Sequence, residues 1–280
     1  MADLTIAIAL CVAVAIVYAT AALIQAGYAH LTVRELTRVP LWWVAQGLNA
    51  AGAGLHVVSL GFGPLSLIQP LGVLTLVIAV VFAASRARRR MTRLETVGLV
   101  STVAGLAGLA MIITTGGTPD TLTPVELTAL LAGGTVLVGG LVAKGSRPGA
   151  SSLWEAVAGG VAYSICSALC QTVVVGVGTT GAGVLLTPFM LVAIVAVGAF
   201  AVGGTVFTQR SYRDGLAAPL AVTNLVNPAS ATAIGVVFLG ETVATTPVEV
   251  VLATACGILA AYGVTALARA REAEPELLPA

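Results

Sequence analysis

The sequence predicts an all-α polytopic membrane protein with about nine transmembrane helices, and three observations predict it. The 280 residues are 58% hydrophobic and 9% charged, with a mean hydropathy of +1.02. A soluble domain carries ~25% charged residues, so this chain has too little polar surface to cover a globule in water. The apolar residues also gather into stretches of roughly 20, the length a helix needs to cross the hydrocarbon core. These runs show no polar/apolar alternation, which excludes a transmembrane barrel. Backbone groups must then be satisfied inside each helix.

The qualifying stretches are spans 1 to 9, at residues 4–26, 41–60, 64–84, 95–114, 124–143, 153–175, 183–206, 216–238 and 247–268. Turn-rich segments such as Gly61-Phe62-Gly63-Pro64, Gly116-Gly117-Thr118-Pro119-Asp120 and Thr179-Thr180-Gly181 separate them. The basic residues test the count. Arg34 and Arg38 follow span 1, and Arg86, Arg88, Arg89, Arg90 and Arg93 follow span 3. Lys144 and Arg147 follow span 5, Arg210 and Arg213 follow span 7, and Arg269 and Arg271 follow span 9. That places all 13 in alternate loops. By the positive-inside rule the N-terminus is outside and the C-terminus cytoplasmic. One span more or fewer would break the alternation.

The N-terminal apolar run has no basic n-region or clear cleavage site and is read as a retained span. Residues 271–280 are acidic and short, and form an expected disordered cytoplasmic tail. Lys144 is the only lysine beside twelve arginines. With the Ala, Gly and Val richness, this points to a GC-rich bacterial genome and hence to a bacterial cytoplasmic (plasma) membrane. The near-neutral balance, 13 basic against 12 acidic residues, gives no basis for a nucleic-acid partner. The four cysteines, Cys11, Cys166, Cys170 and Cys256, lie in apolar runs without His or acidic residues at metal-ligand spacing. They read as small packing residues, and no metal site or cofactor is expected.

An internal repeat divides the chain. Gly61-Phe62-Gly63-Pro64-Leu65-Ser66-Leu67-Ile68-Gln69-Pro70 leads into an apolar run ending Val80-Val81-Phe82. Pro219-Leu220-Ala221-Val222-Thr223-Asn224-Leu225-Val226-Asn227-Pro228 leads into one ending Val236-Val237-Phe238. Each is followed by a last Gly-containing span. Spans 3 and 8 cross in opposite senses, so the likeness has the form of an inverted repeat, a design many secondary transporters use. The expected organisation is a first repeat of four helices at 1–117 and a second of five at 118–270.

Polar side chains in lipid are costly, so their positions inform. Span 2 places Gln46, Asn49 and His56 on one helical stripe. Span 6 does the same with Ser164, Ser167 and Gln171, and span 8 with Asn224, Asn227 and Ser230. Two readings stand: the stripes line one cavity, or they are interhelical glue worth ~0.6 kcal/mol per bond. Pro70 and Pro228 favour the cavity for Gln69, Asn224 and Asn227. Proline lacks an N–H, so the carbonyls of Ser66 and Asn224 lose their helical partner, and freed carbonyls in a broken helix can hold a substrate or ion. A simple kink repaired by a neighbour is the alternative.

None of the 12 acidic residues falls at a span centre; Glu95, Glu155 and Glu241 sit near span ends. His56 is the one titratable side chain at plausible depth, as a proton site or a packing histidine. No His-Glu metal motif, Asp-rich pair, Gly-Asp protease pair or Gly-x-Ser-x-Gly elbow is present, so no enzyme is expected. Gly105/Gly108, Gly139/Gly140 and Gly203/Gly204 read as close helix packing.

On these residues the chain resembles the drug/metabolite transporter (EamA-like) superfamily. Phe238-Leu239-Gly240-Glu241 before span 9 matches that group's Leu-Gly-Glu corner, which Ala84-Ser85-Arg86 replaces in the first half. Within that group the first half is similar to the NIPA-type magnesium transporters. Their order of Trp pair, aromatic–small–Pro turn and Pro-Leu-Gly segment reads here as Trp42-Trp43, Phe62-Gly63-Pro64 and Leu67-Ile68-Gln69-Pro70-Leu71-Gly72. Ala53 stands where that pattern often has an acidic residue. Mg²⁺ prefers carboxylates and retained waters, so the departure bears on the ion.

The resemblance implies a transporter of small solutes working by alternating access. Its substrate would be a metabolite, an exported drug or a divalent cation such as magnesium. Gln69, Asn224 and Asn227 would contact the substrate, with Gln46, Asn49, His56 and Gln171 along the wall. Pro70 and Pro228 would be the helix breaks. The expected partners are that solute or ion and the lipid bilayer, with homo-oligomerisation open. A non-transporting membrane scaffold or accessory subunit is the competing reading.

Overall fold

The computed structural model describes residues 2–59, 74–112, 115–116, 121–239, 242–243 and 246–272. The described residues are helical almost throughout. In chain order the elements are α1 (Ala2–Gly27), the single turn α2 (Val33–Leu36), α3 (Pro40–Ser59), α4 (Leu74–Arg86) and α5 (Arg93–Ile112). Then come β1 (Thr115–Gly116), α6 (Pro124–Gly145), α7 (Leu153–Thr180), α8 (Pro188–Ser211) and α9 (Ala217–Phe238), and finally β2 (Thr242–Val243) and α10 (Pro247–Glu272). Short 3₁₀ turns at Ala182–Leu186 and Tyr212–Asp214 flank α8.

Six helices among the described residues are long and apolar enough to cross a bilayer: Ala9–Gly27, Pro124–Gly145, Leu153–Thr180, Pro188–Asp214, Ala217–Phe238 and Pro247–Ala270. The chain is thus a multi-pass helical membrane protein by composition and length. Helices also stand at the other three predicted spans. α3 and α5 have 20 residues each, and α4 has 13. The apolar character of α3 is diluted by Gln46 and Asn49. The first part of span 3 lies outside the described residues, with Gln69 and Pro70, as do Gly240 and Glu241.

Helix starts follow one device. Thr32/Glu35, Thr92/Glu95, Thr123/Glu126 and Thr246/Glu249 sit at the starts of α2, α5, α6 and α10. In each, the threonine N–H donates to the glutamate carboxylate at 2.7–2.8 Å. At α5, α6 and α10 the glutamate N–H also donates back to the threonine hydroxyl. These reciprocal capping boxes satisfy two orphan donors at each helix start. Pro124 and Pro247 follow the cap, where a missing N–H costs nothing. Glu95, Glu126 and Glu249, near span ends, are therefore spent on caps.

The chain forms two compact units: residues 1–114, 212–221 and 245–280 make the first, and 115–211 with 222–244 make the second. In the first unit α1 packs on α3 and α4, and α5 on α10. The ring of Tyr18 fills the notch at Gly52, where a Cβ would lie 2.8 Å from Cε1. α5 and α10 run antiparallel with backbones almost touching. A Cβ on Gly105 would lie 2.5 Å from the Ala260 nitrogen, and one on Gly98 2.9 Å from the Gly263 carbonyl. Small residues permit this approach, and close backbone packing is what drives helix association where no hydrophobic effect operates.

The second unit centres on α7, whose Ala158, Ala162, Ile165 and Leu169 are buried. α6 and α8 run antiparallel to it. Gly134 faces Ile165 on one side, and on the other the Tyr163 ring lies over Gly204, where a Cβ would come within 2.9 Å of it. α9 runs parallel to α7: the Thr223 hydroxyl donates to the Ala156 carbonyl at 3.3 Å, and one turn on, Gly160 faces Val226 and the Asn227 nitrogen. β1 and β2 pair antiparallel, Thr115 opposite Val243.

Candidate functional site

The polar stripes divide by chemistry. A serine hydroxyl can return its proton to a carbonyl one turn back in its own helix, and both serines of the α7 stripe do so. Ser164 donates to Val161 at 2.8 Å and Ser167 to Tyr163 at 3.0 Å. An amide has two N–H donors and cannot be satisfied by its own helix in this way. Among the described residues, Gln46 Nε2 in α3 and Asn224 Nδ2 in α9 are buried with no hydrogen-bond partner. Thr208 Oγ1 in α8 is the third such atom outside charged groups. An unmet buried donor costs about 1–3 kcal/mol and calls for an explanation in a native structure.

Asn224 has a second deficit. Pro228 lies inside α9 and has no N–H to return to the Asn224 carbonyl. α9 nevertheless runs as continuous helix from Ala217 to Phe238, so Pro228 removes one hydrogen bond without interrupting the helix. Neighbouring helices readily accommodate such a residue in lipid. Its own carbonyl accepts from Thr232 Oγ1 at 2.9 Å. Asn227 stands at the middle of α9 and Asn224 one turn before it, and both are half-buried.

The remaining predicted residues are placed as follows. Asn49 is half-buried at the middle of α3, one turn beyond Gln46. The α3 helix includes His56, whose side chain lies outside the described residues. Gln171 is half-buried on α7. It stands eleven residues beyond Gly160, the position facing Asn227, which is about 16 Å along the axis at a rise near 1.5 Å per residue. α7 and α9 are parallel, so Gln171 is level with the far end of α9 and not with Asn224 or Asn227. Gln46 and Asn49 belong to the first unit, and Asn224, Asn227 and Gln171 to the second.

The most charged feature of the second unit is a group the sequence does not assemble. Glu155, in the first turn of α7, is fully buried, and its carboxylate lies 2.8 Å from the guanidinium of Arg210 at the end of α8. Arg210 also donates to Ser146 Oγ at 3.2 Å, and Lys144 sits 3.6 Å over the Trp154 ring. This ties the end of α6, the start of α7 and the end of α8 together at one end of the unit. In the first unit Arg89 grips Glu95 with two hydrogen bonds of 2.7 and 2.8 Å. Among the described residues no three His, Cys, Asp or Glu side chains converge as a metal-ligand set.

No family model, curated protein or solved structure matches the chain.

Proposed function

We propose that this protein is a transmembrane transporter of a small polar solute, working by alternating access. The observation that carries the proposal is Asn224. One residue near the middle of a bilayer-length helix has a buried amide nitrogen without a partner and a carbonyl that Pro228 deprives of its helical N–H. A donor and an acceptor side by side in hydrocarbon are costly unless something polar occupies them, and a passing solute does so. Gln46 offers a second unmet amide donor. A scaffold subunit has no use for either.

The helix directions support the proposed alternation. In the second unit α6, α7 and α8 alternate in direction, and α9 runs with α7, as spans 5 to 8 require. The capped and basic ends of that unit also segregate: Lys144, Glu155 and Arg210 share one end. We place that end in the cytoplasm by the positive-inside rule, in a bacterial plasma membrane. The two inverted repeats, the remaining three crossings and membership of the drug/metabolite transporter superfamily belong to the same proposal. So do Gln69 and Pro70. Neutral amides suit a hydrogen-bonding metabolite or a hydrated cation, and no carboxylate cluster among the described residues singles out magnesium.

The test is a thermal-shift screen of purified protein against amino acids, polyamines, cationic drugs and divalent cations. A ligand at 100 times its Kd adds ~2.7 kcal/mol to apparent stability. The compound that stabilises the wild type should lose that effect in Asn224→Ala and be transported in proteoliposomes. A hit that stabilises Asn224→Ala and Gln46→Ala as well as the wild type refutes the assignment.

A further inference from the structure

Cys166 and Cys170 stand one turn apart in the middle of α7, and neither is in a disulfide. Residues at i and i+4 on a helix are surface neighbours. The two thiols therefore share one face of α7. Cys166 is half-buried and its thiol donates to the Val197 carbonyl of α8 at 3.7 Å. Cys170 is exposed on the helix surface. The pair is thus two free thiols on one helix face, one against α8 and the other open to approach. The other two cysteines have no such arrangement: Cys11 is buried in α1, and Cys256 lies on α10 against Gly108.

We infer that Cys166 and Cys170 form a chelating site for a trivalent arsenical. Three features select this chemistry. Pyramidal As(III) has a narrow S–As–S angle and holds two sulfurs close together, as side chains one helical turn apart can present them, whereas linear two-coordinate metals need them farther apart. Thiolates are soft ligands and favour thiophilic centres over Mg²⁺ or Ca²⁺. The third is charge. Both residues lie near the middle of a 28-residue apolar helix, where an ion is expensive, and an organoarsenic(III) bis-thiolate is neutral. Phenylarsine oxide, C₆H₅AsO, supplies such a centre and partitions into lipid from the side on which Cys170 is exposed.

The reaction balances without a redox partner. The two thiols condense with phenylarsine oxide to form two As–S bonds. The arsenic–oxygen bonds break, the oxygen leaves as water with both thiol protons, and arsenic stays trivalent. A single thiol gives a one-armed adduct that excess monothiol reverses. A dithiol closes a ring that only another dithiol removes efficiently.

The test uses the full chain in detergent, treated with one equivalent of phenylarsine oxide, washed with excess 2-mercaptoethanol and weighed by intact-protein mass spectrometry. One adduct per chain is expected, surviving the monothiol wash and removed by 2,3-dimercaptopropanol. The adduct should be lost in both Cys166→Ser and Cys170→Ser and retained in the Cys11→Ser/Cys256→Ser double variant. Circular dichroism checks that each variant remains helical. An adduct that persists in Cys170→Ser, that is absent from the wild type, or that disappears in the Cys11→Ser/Cys256→Ser variant overturns the inference. None of these outcomes depends on whether the protein transports anything.

Discussion

Removing Arg210 should destabilise this protein far more than neutralising the glutamate it pairs with. Glu155 is fully buried, whereas the Arg210 side chain remains 42% exposed. In Glu155→Gln the arginine loses its counter-ion but keeps an amide oxygen to bond and water on its open side, so the cost is about 1 kcal/mol. In Arg210→Met the carboxylate is left inside without its ion-pair partner. Breaking a buried pair this way costs 3–5 kcal/mol on the order of magnitude. Water reaching the arginine side and Lys144, held nearby over Trp154, reduce that to about 3 kcal/mol. The double variant Glu155→Gln/Arg210→Met removes the stranded charge but leaves a buried amide, and should recover part of the loss. Thermal unfolding in a fixed detergent, followed by circular dichroism, reads all four proteins. At roughly 2 °C per kcal/mol for a chain of this size, the expected losses are about 6 °C for Arg210→Met and about 2 °C for Glu155→Gln. Equal losses, or a double variant no better than Arg210→Met, would refute the argument that the burial of Glu155 sets the balance.

The α5–α10 contact predicts a contrast between glycines. Gly105→Ala drives a Cβ into the Ala260 backbone and should cost about 1–3 kcal/mol by overpacking. Gly133→Ala in α6, with nothing within 4 Å, should stabilise by roughly 0.5–1 kcal/mol through helix propensity, both measured by thermal melts. Thr123→Ala removes the α6 cap and should cost about 1 kcal/mol, with Thr128→Ala as the in-helix control. Asn224→Leu should raise the melting temperature, because it replaces an unmet buried amide with an apolar side chain, while abolishing stabilisation by the transported solute. A lowered melting temperature would mean that the amide is satisfied in the resting protein. An alkaline phosphatase fusion in the 179–182 loop should be active and one after Lys144 inactive, and the reverse pattern would invert the topology.

The helices were legible in the sequence because lipid leaves the backbone a single choice, and apolar length alone then locates each one. The caps were equally legible. Thr-x-x-Glu occurs at 32–35, 92–95, 123–126 and 246–249, a signature that identifies helix starts without a structure. The Glu155–Arg210 pair could not be read in this way. Its members are 55 positions apart, and only the antiparallel packing of α7 on α8 brings the start of one helix to the end of the other.

The same distinction between local and tertiary information governs the candidate site. A stripe of polar residues fixes which face of a helix they occupy, but not the level of that face against a neighbour. Asn224 and Pro228 are related by i and i+4 within one helix, so the freed carbonyl beside an amide follows from sequence alone. Grouping Gln171 with Asn224 required knowing how α7 is shifted along α9. The Thr223–Ala156 and Asn227–Gly160 contacts set that shift and place Gln171 about three turns too far along. Likewise, Ser164 and Ser167 share a stripe with Gln171, yet both spend their protons on their own helix. Position on a face made these residues candidates. What separates them is whether a side chain can satisfy itself locally, and by that criterion Asn224 and Gln46 are the residues with hydrogen-bonding capacity left for a solute.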